Sequence, residues 1–190
     1  MDRHPRVERF LNSLRSTTED QIVPRLTTSR VLRTAQIAIV AFLGFYVALV
    51  AWGNFSDPDT NFIFVEHVMR MDTTFERPAL MTRSIDSPAL HRLAFGFIVF
   101  AEWVIAALCL LGAALLARRL GAEPATFHAA KGVGLLGLLG AACLWFFGFQ
   151  VIGGEWFASW QSEEWNGLDS AGRISTYALV GLILVGMRAD

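Results

Sequence analysis

The placement of charged residues along this chain is the feature that most limits what it can fold into. Residues 34–53 and 132–152 contain no charged side chain, and residues 93–117 contain only Glu102. A helix needs about 20 mostly apolar residues to cross the roughly 30 Å hydrocarbon core of a bilayer. The sequence therefore predicts membrane-spanning helices at about 34–53, 92–117 and 132–152.

A fourth span is predicted less directly, because the apolar stretch 174–187 has only 14 residues. At about 1.5 Å per residue these cover roughly 21 Å. The helix crosses the membrane only if it begins near Leu168 and the Arg173 side chain extends towards the headgroups. We therefore predict a span at about 168–187, and with it an all-α fold: a four-transmembrane-helix bundle over residues 34–190.

The first 33 residues form a basic arm that contains seven arginines. Its apolar residues Val7, Phe10, Leu11 and Leu14 recur at helical spacing, which is typical of an amphipathic helix lying on an anionic membrane surface. A disordered basic arm is an equally good interpretation. About 30 mostly polar residues precede the first apolar run, so a cleavable signal peptide is not expected.

The two sides of the predicted bundle differ in basic charge. The side of the termini holds eleven basic residues: Arg3, Arg6, Arg9, Arg15, Arg25, Arg30, Arg33, Arg118, Arg119, Lys131 and Arg188. The other side holds five: Arg70, Arg77, Arg83, Arg92 and Arg173. Basic residues are enriched on the cytoplasmic side of membrane proteins. We therefore expect a multi-pass protein of the bacterial inner membrane with cytoplasmic termini and periplasmic loops at 54–91 and 153–172.

Both predicted periplasmic loops carry signs of ordered structure. Asp57-Pro58 offers a helix start, and Phe62, Val65 and Met69 follow on one helical face, which predicts a helix of about three turns in the first loop. The second loop contains Trp156, Trp160 and Trp165, whose spacing predicts one face of an interfacial helix. That face suits either a lipid belt or a protein interface. The two loops together predict an ordered helical cap.

Three glycines in the third span, Gly134, Gly137 and Gly140, allow another helix to approach closely. The neighbouring helix can belong to this chain or to a partner. The two cysteines, Cys109 and Cys143, both fall inside predicted spans. They are expected to be unpaired residues of the apolar interior rather than a disulfide.

Glu102 is the polar residue that most needs an explanation, since a carboxylate near mid-bilayer costs at least about 2.5 kcal/mol on insertion scales. A protonated carboxyl that hydrogen-bonds a neighbouring helix is the favoured interpretation. A proton or ion relay and a ligand for a bound cofactor are the alternatives. A candidate polar site near the cap side combines Glu102 with His67, Asp72, Gln150 and Glu155, although a simple hydrogen-bonded His67–Asp72 pair that holds the cap together is favoured for those two. No metal site and no catalytic residue are predicted.

Two segments carry a resemblance to a known family. Residues 64–75 read FVEHVMRMDTTF and residues 153–166 read GGEWFASWQSEEWN. With the Glu102-containing second span and Arg173, they resemble a bacterial family of small predicted integral membrane proteins known only as a domain of unknown function. The resemblance covers about 34–188 and implies a four-span fold in a membrane. It implies no catalytic residues, and the basic arm departs from the shorter members.

Two classes of function remain open at this point. The favoured one is a non-catalytic accessory or structural subunit of a larger, energy-transducing membrane complex, respiratory or photosynthetic, whose partners are lipid and other membrane-protein subunits. The alternative is a membrane enzyme or ligand-binding protein whose polar site binds a quinone, a lipid or a metal. No nucleophile or nucleotide-binding loop is visible, so we expect no enzyme and no nucleic-acid partner. No cofactor is predicted beyond a bound lipid or quinone.

Overall fold

The computed structural model describes residues 27–188, and within that range the chain is helical with no strand. Four helices are long and apolar enough to cross a membrane: Thr28–Ser56, Pro88–Arg118, Pro124–Trp156 and Leu168–Gly186, here called the first to fourth spans. The predicted all-α, four-span fold is confirmed. The amphipathic pattern of Val7, Phe10, Leu11 and Leu14 lies outside the described residues.

The first two spans are longer than the apolar stretches from which they were predicted. The first begins at Thr28 and ends at Ser56 instead of covering 34–53, so Arg33 belongs to the span and not to the arm. The reason is that hydropathy marks the part of a helix inside hydrocarbon, whereas the backbone hydrogen bonds continue into the headgroup region. Thr27 caps the N-terminus of this helix, because its hydroxyl accepts a hydrogen bond from the Arg30 amide at 3.3 Å.

Proline marks the start of several other helices. The second span starts at Pro88, the third at Pro124, and two helices outside the spans at Pro58 and Pro78. Proline suits the first helical position because its missing N–H would have no partner there and its φ is already helical. The predicted three-turn helix in the first loop is present as Pro58–Arg70.

The third span is not the regular α-helix that its sequence predicted. It begins as Pro124–Ala129, continues as Gly132–Ala142, and is a π-helix over Cys143–Trp156. A π-helix bonds each residue to one five positions away; it is rare, appears mostly as a single turn inside an α-helix, and is frequently found at functional sites. Five residues of the π-helix, spaced four or five positions apart, line the same cavity: Leu144, Gly148, Phe149, Ile152 and Gly153.

The second and third spans touch through their smallest residues. A Cβ atom added to Gly112 would lie 2.4 Å from the backbone of Gly134, and one added to Gly137 would lie 2.6 Å from the Cys109 sulfur. Gly140 packs in the same way against Ile105, at 3.0 Å. All three glycines of the predicted close-packing face therefore pack against other spans of this chain. Of the two alternatives that the sequence left open, a helix of this chain or of a partner, the structure shows the first.

Polar side chains at the end of the bundle nearest residue 27, here called the arm side, bond to carbonyl groups at or just beyond the ends of two spans. The Arg33 guanidinium donates to the carbonyl oxygens of Leu120 and Ala122 at 3.2 and 2.6 Å, just after the second span. The Gln36 amide donates to those of Leu184 and Met187 at 2.8 and 3.1 Å, at the end of the fourth. Helix ends leave such carbonyls without a backbone partner, and a cation or amide near a helix C-terminus is favourable.

The connections at the opposite end, 57–87 and 157–167, form a structure that we call the cap. Buried Met71, Phe157 and Ala158 join the two connections in one apolar cluster. Hydrogen bonds join them as well, from the Thr73 hydroxyl to the Ser162 hydroxyl at 2.8 Å and from the Phe75 amide to the Gln161 side chain at 2.9 Å. The cap therefore holds both loops in a fixed arrangement over one end of the bundle.

The contact between Gly112 and Gly134 leads to a prediction about stability. Replacing Gly112 with alanine should lower the free energy of unfolding by about 1–3 kcal/mol, because the new methyl group meets backbone that has no room to move aside. Gly96 lies in the same helix with nothing within 4 Å of an added Cβ, so Gly96→Ala should be neutral or slightly stabilising. Thermal unfolding in detergent measures both, and equal behaviour of the two variants would contradict the packing described here.

Candidate functional site

Glu102 lies in the second span and forms a hydrogen bond to the first. The Asn54 side-chain amide donates to Glu102 Oε2 at 2.8 Å, and the two residues are only 6% and 2% exposed. An amide donor can serve a carboxyl oxygen whether or not the acid carries its proton. The hydrogen bond to a neighbouring helix that was expected for Glu102 is therefore formed with Asn54, while the predicted protonation of its carboxyl stays a prediction.

Asn54 and Glu102 line a cavity of about 350 Å³ that we call the polar cavity. Only one carboxyl oxygen of Glu102 has a hydrogen-bond partner among the described residues. Aromatic rings form much of the remaining wall. The cavity is lined by Leu49, Val50, Gly53, Asn54, Asn61, Phe64, Val65, Phe95, Ile98, Glu102, Trp145 and Phe149. It is a chamber with hydrogen-bonding groups on one side and flat apolar surfaces on the others.

A second cavity of about 280 Å³, which we call the apolar cavity, lies beside the polar cavity and shares part of its lining. Phe64, Val65, Ile98 and Phe149 line both cavities. The rest of its lining comes from the cap, the second span and the π-helix: Val68, Met69, Ala94, Phe97, Leu144, Gly148, Ile152, Gly153, Phe157, Ser159, Gly167 and Leu168. The cavity is open to the surface, and its lining includes Phe97, which is 65% exposed.

The wall between the cavities is built around the ring of Phe64. It stacks on Phe149 with 6.3 Å between centroids and meets Trp165 edge-on at 6.5 Å. A Cβ added to Gly167 would lie 2.9 Å from the same ring. The cap helix, the π-helix and the second connection thus each fix one side of the aromatic wall.

The five residues of the predicted polar site are not all brought together. His67 and Asp72 are bonded, with Nδ1 2.9 Å from either carboxylate oxygen, as expected for a pair that holds the cap. Gln150 donates to the Ser175 hydroxyl at 3.3 Å and lines a different cavity beside the fourth span. Glu155 lies at a third cavity with Arg83, which donates to the Glu155 carbonyl. Glu102 shares its cavity with none of the other four.

A network of charges surrounds the His67–Asp72 pair on the cap. Arg70 lies 3.4 Å from Asp86 and 3.6 Å from Glu66. His91 is fully buried nearby; its Nε2 lies 2.7 Å from the Ile85 carbonyl, while its Nδ1 has no hydrogen-bond partner and is 3.9 Å from Glu66. The Ile85 contact ties the loop before the second span to the start of that helix.

Trp156, Trp160 and Trp165 do not share one helical face, so that prediction was wrong. Trp156 ends the π-helix, Trp160 lies in a short 3-10 turn over Ser159–Gln161, and the left-handed backbone of Ala158 separates the two elements. Trp156 and Trp160 are about half exposed, whereas Trp165 stacks flat on His67 with 4.4 Å between ring centroids. Two of the three therefore remain available to lipid or a partner.

Within residues 27–188 no three His, Cys, Asp or Glu side chains are grouped so as to hold a metal ion. Cys109 is buried between spans and Cys143 is exposed, and both are free thiols. The described chemistry near Glu102 is thus hydrogen bonding and apolar contact, which can bind and orient a molecule.

The fold agrees with a family model described as "Predicted small integral membrane protein (DUF2165)", which matches residues 32–188. The chain belongs to this family. The resemblance seen in the sequence is thereby confirmed at the level of family and membrane location. Comparisons with curated proteins and with solved structures gave no match. In this DUF2165 protein the two sequence signatures, residues 64–75 and 153–166, contribute Phe64, Val65 and Gly153 to the cavity linings.

The bond between Asn54 and Glu102 leads to a second prediction. Asn54→Leu should lower the free energy of unfolding by about 1–3 kcal/mol, because it removes the donor and leaves a buried carboxyl without its partner. The double variant Asn54→Leu/Glu102→Met should lose less than the sum of the two single variants, by about 0.5–3 kcal/mol. Thermal unfolding in detergent measures this coupling.

Gln150→Leu provides the matched control for that cycle, since Gln150 is another side-chain amide within a span but lies at a different cavity. Its effect should add to that of Glu102→Met within about 0.5 kcal/mol. If the losses in free energy of unfolding of Asn54→Leu and Glu102→Met simply add in the double variant, the hydrogen bond contributes nothing to stability.

Proposed function

We propose that this protein binds an amphipathic, lipid-soluble molecule, a lipid or a quinone, at the cap end of its bundle, and that it does so without catalysing a reaction. The observation that carries the proposal is the buried Asn54–Glu102 pair facing a cavity of about 350 Å³ among the spans. Ligand sites are commonly clefts of about 300–1,000 Å³ with mostly apolar walls and a few convergent polar groups. The polar cavity has that composition.

The burial of Glu102 supports the proposal, because an acidic residue inside a span is expensive and is by default a sign of function. A purely structural link between two spans is achieved at lower cost by two neutral side chains. The neighbouring apolar cavity, whose lining includes the exposed Phe97, supplies room for a hydrocarbon chain. The ligand could then reach the site from the bilayer without crossing water.

Co-purification tests the proposal directly. Protein isolated from its native membranes in mild detergent should carry an amphiphile at about one molecule per chain, identified by solvent extraction and mass spectrometry. Asn54→Leu/Glu102→Met should lose most of it, because the hydrogen-bonding groups are gone, and the matched variant Gln150→Leu should retain it. Recovery of a folded wild-type protein with no amphiphile above detergent background would overturn the proposal.

A second candidate function, accessory subunit of a larger energy-transducing membrane complex, has a separate observation in its favour. Trp156 and Trp160 are 53% and 51% exposed at the cap, and aromatic residues are enriched in protein interfaces. The packing glycines no longer support it, since they are consumed within the chain. The size of the particle obtained in the same purification tests this candidate. A particle much larger than the monomer supports an accessory role, and a monodisperse monomer at native expression level opposes it.

We further propose that the protein lies in the bacterial inner membrane with both termini in the cytoplasm and the cap in the periplasm. The support is the excess of basic residues on the arm side, eleven against five. A C-terminal fusion to green fluorescent protein should therefore fluoresce, whereas a C-terminal alkaline phosphatase should be inactive. Fusions placed in the cap after Glu76, between its two helices, should show the reverse pattern, and the opposite result at both positions would invert the topology.

A further inference from the structure

We infer that the polar and apolar cavities form one two-part site for a molecule with a neutral, hydrogen-bonding ring as its head and a hydrocarbon tail, the chemistry of a prenylated quinone. This inference rests on the proposed function and specifies the ligand class. The head occupies the polar cavity beside Asn54 and Glu102. The tail occupies the apolar cavity and leaves through its mouth beside Phe97.

The position of the two cavities supports a single bound molecule. They share Phe64, Val65, Ile98 and Phe149, so they are adjacent, and a molecule that occupies both passes between these four side chains. One cavity contains the hydrogen-bonding pair, and the other is almost entirely apolar and includes the exposed Phe97. A molecule that spans both therefore has its polar end beside Asn54 and Glu102 and its apolar end beside Phe97.

The lining of the polar cavity favours a ring as the head. Phe64, Phe95, Trp145 and Phe149 surround it with flat aromatic surfaces, and aromatic rings stack favourably on one another in offset or edge-on arrangements. The Asn54 amide can donate to a ring carbonyl, and the carboxyl group of Glu102 can accept from a ring hydroxyl. Carbonyl and hydroxyl are the groups at which the oxidised and reduced forms of a quinone differ, so the pair can bond to either form.

Charge argues against a phospholipid as the occupant. No Arg, Lys or His lines either cavity among the described residues. A phosphate placed there would lose its hydration with no cation to compensate, and an ionised Glu102 carboxylate beside it would repel it. A neutral head avoids this cost.

The tail half of the site has a natural test position at Gly148 in the π-helix. A Cβ added there would meet nothing closer than 3.9 Å, although Gly148 lines the apolar cavity. Gly148→Leu should thus fill the cavity without disturbing the fold. Gly96 in the second span also has open space around it but lines neither cavity, so Gly96→Leu is the matched control.

The experiment measures binding of decylubiquinone, and of the same ring without its decyl tail, to the full chain in nanodiscs by quenching of tryptophan fluorescence. Quenching should be saturable and should fall sharply in Trp145→Phe, since Trp145 borders the head. Asn54→Leu should weaken binding of both compounds about tenfold, the effect of losing one hydrogen bond. Gly148→Leu should weaken only the decyl compound, at least tenfold, and Gly96→Leu should weaken neither.

The outcomes separate this inference from the function on which it rests. Equal loss of both compounds in Gly148→Leu, or no loss of either, would overturn the two-part site. Retention of phosphatidylglycerol instead of the quinone, displaced by Gly148→Leu, would overturn the ligand class while leaving the proposed function standing. Absence of binding by every amphiphile tested would overturn both. The affinities of the wild-type protein for the two ring compounds already measure the contribution of the tail. The result therefore does not depend on a variant that fails to fold.

Discussion

The absence of water in hydrocarbon is the constraint on which the rest of this structure depends. A polar group placed inside the bilayer is costly unless it finds a partner within the protein. At the arm side Arg33 donates to two carbonyl oxygens just after the second span, and the Gln36 amide donates to two at the end of the fourth, while Gln36 Oε1 is buried without a hydrogen-bond partner. Deeper in the bundle the Asn54 amide is the partner of Glu102. These bonds connect elements far apart in sequence, so they fix how the spans are arranged as well as satisfying single groups.

The bundle is a fold that its sequence largely predicts, because length and apolarity alone decide whether a helix can cross a membrane. The four stretches found in the sequence each lie within a span, including the short fourth one, which begins at Leu168. Turn chemistry predicted the cap helix equally well, since Asp57-Pro58 precedes Pro58–Arg70. In each case the signal is local: one window of hydropathy or one dipeptide contains all the information needed.

The candidate site could not be predicted to the same extent, because its parts are not local. Asn54 was overlooked as the partner of Glu102 because the apolar stretch ends at Gly53, one residue before it, while the helix continues to Ser56. A polar residue just past an apolar stretch, one turn from its end, is the signal that would have found it. The π-helix over Cys143–Trp156 had no such signal. The spacing of its side chains nevertheless determines which of them line the apolar cavity.

The use of the small residues also changes what the remaining surface can do. Once Gly112, Gly134 and Gly137 are consumed between the second and third spans, the closest helix contacts in the described chain are internal. A third or less of each span is buried, so the outer faces meet lipid or other proteins through large side chains. The features that distinguish this chain from a passive bundle then lie at the cap end: an aromatic wall held from three sides, two cavities behind it, and a carboxyl whose burial only a partner can compensate. Since residues 64–75 contribute Phe64 and Val65 to that wall and Trp165 meets Phe64 edge-on, the cap and the cavities form one unit, in which the connections between the spans position the groups that line the cavities.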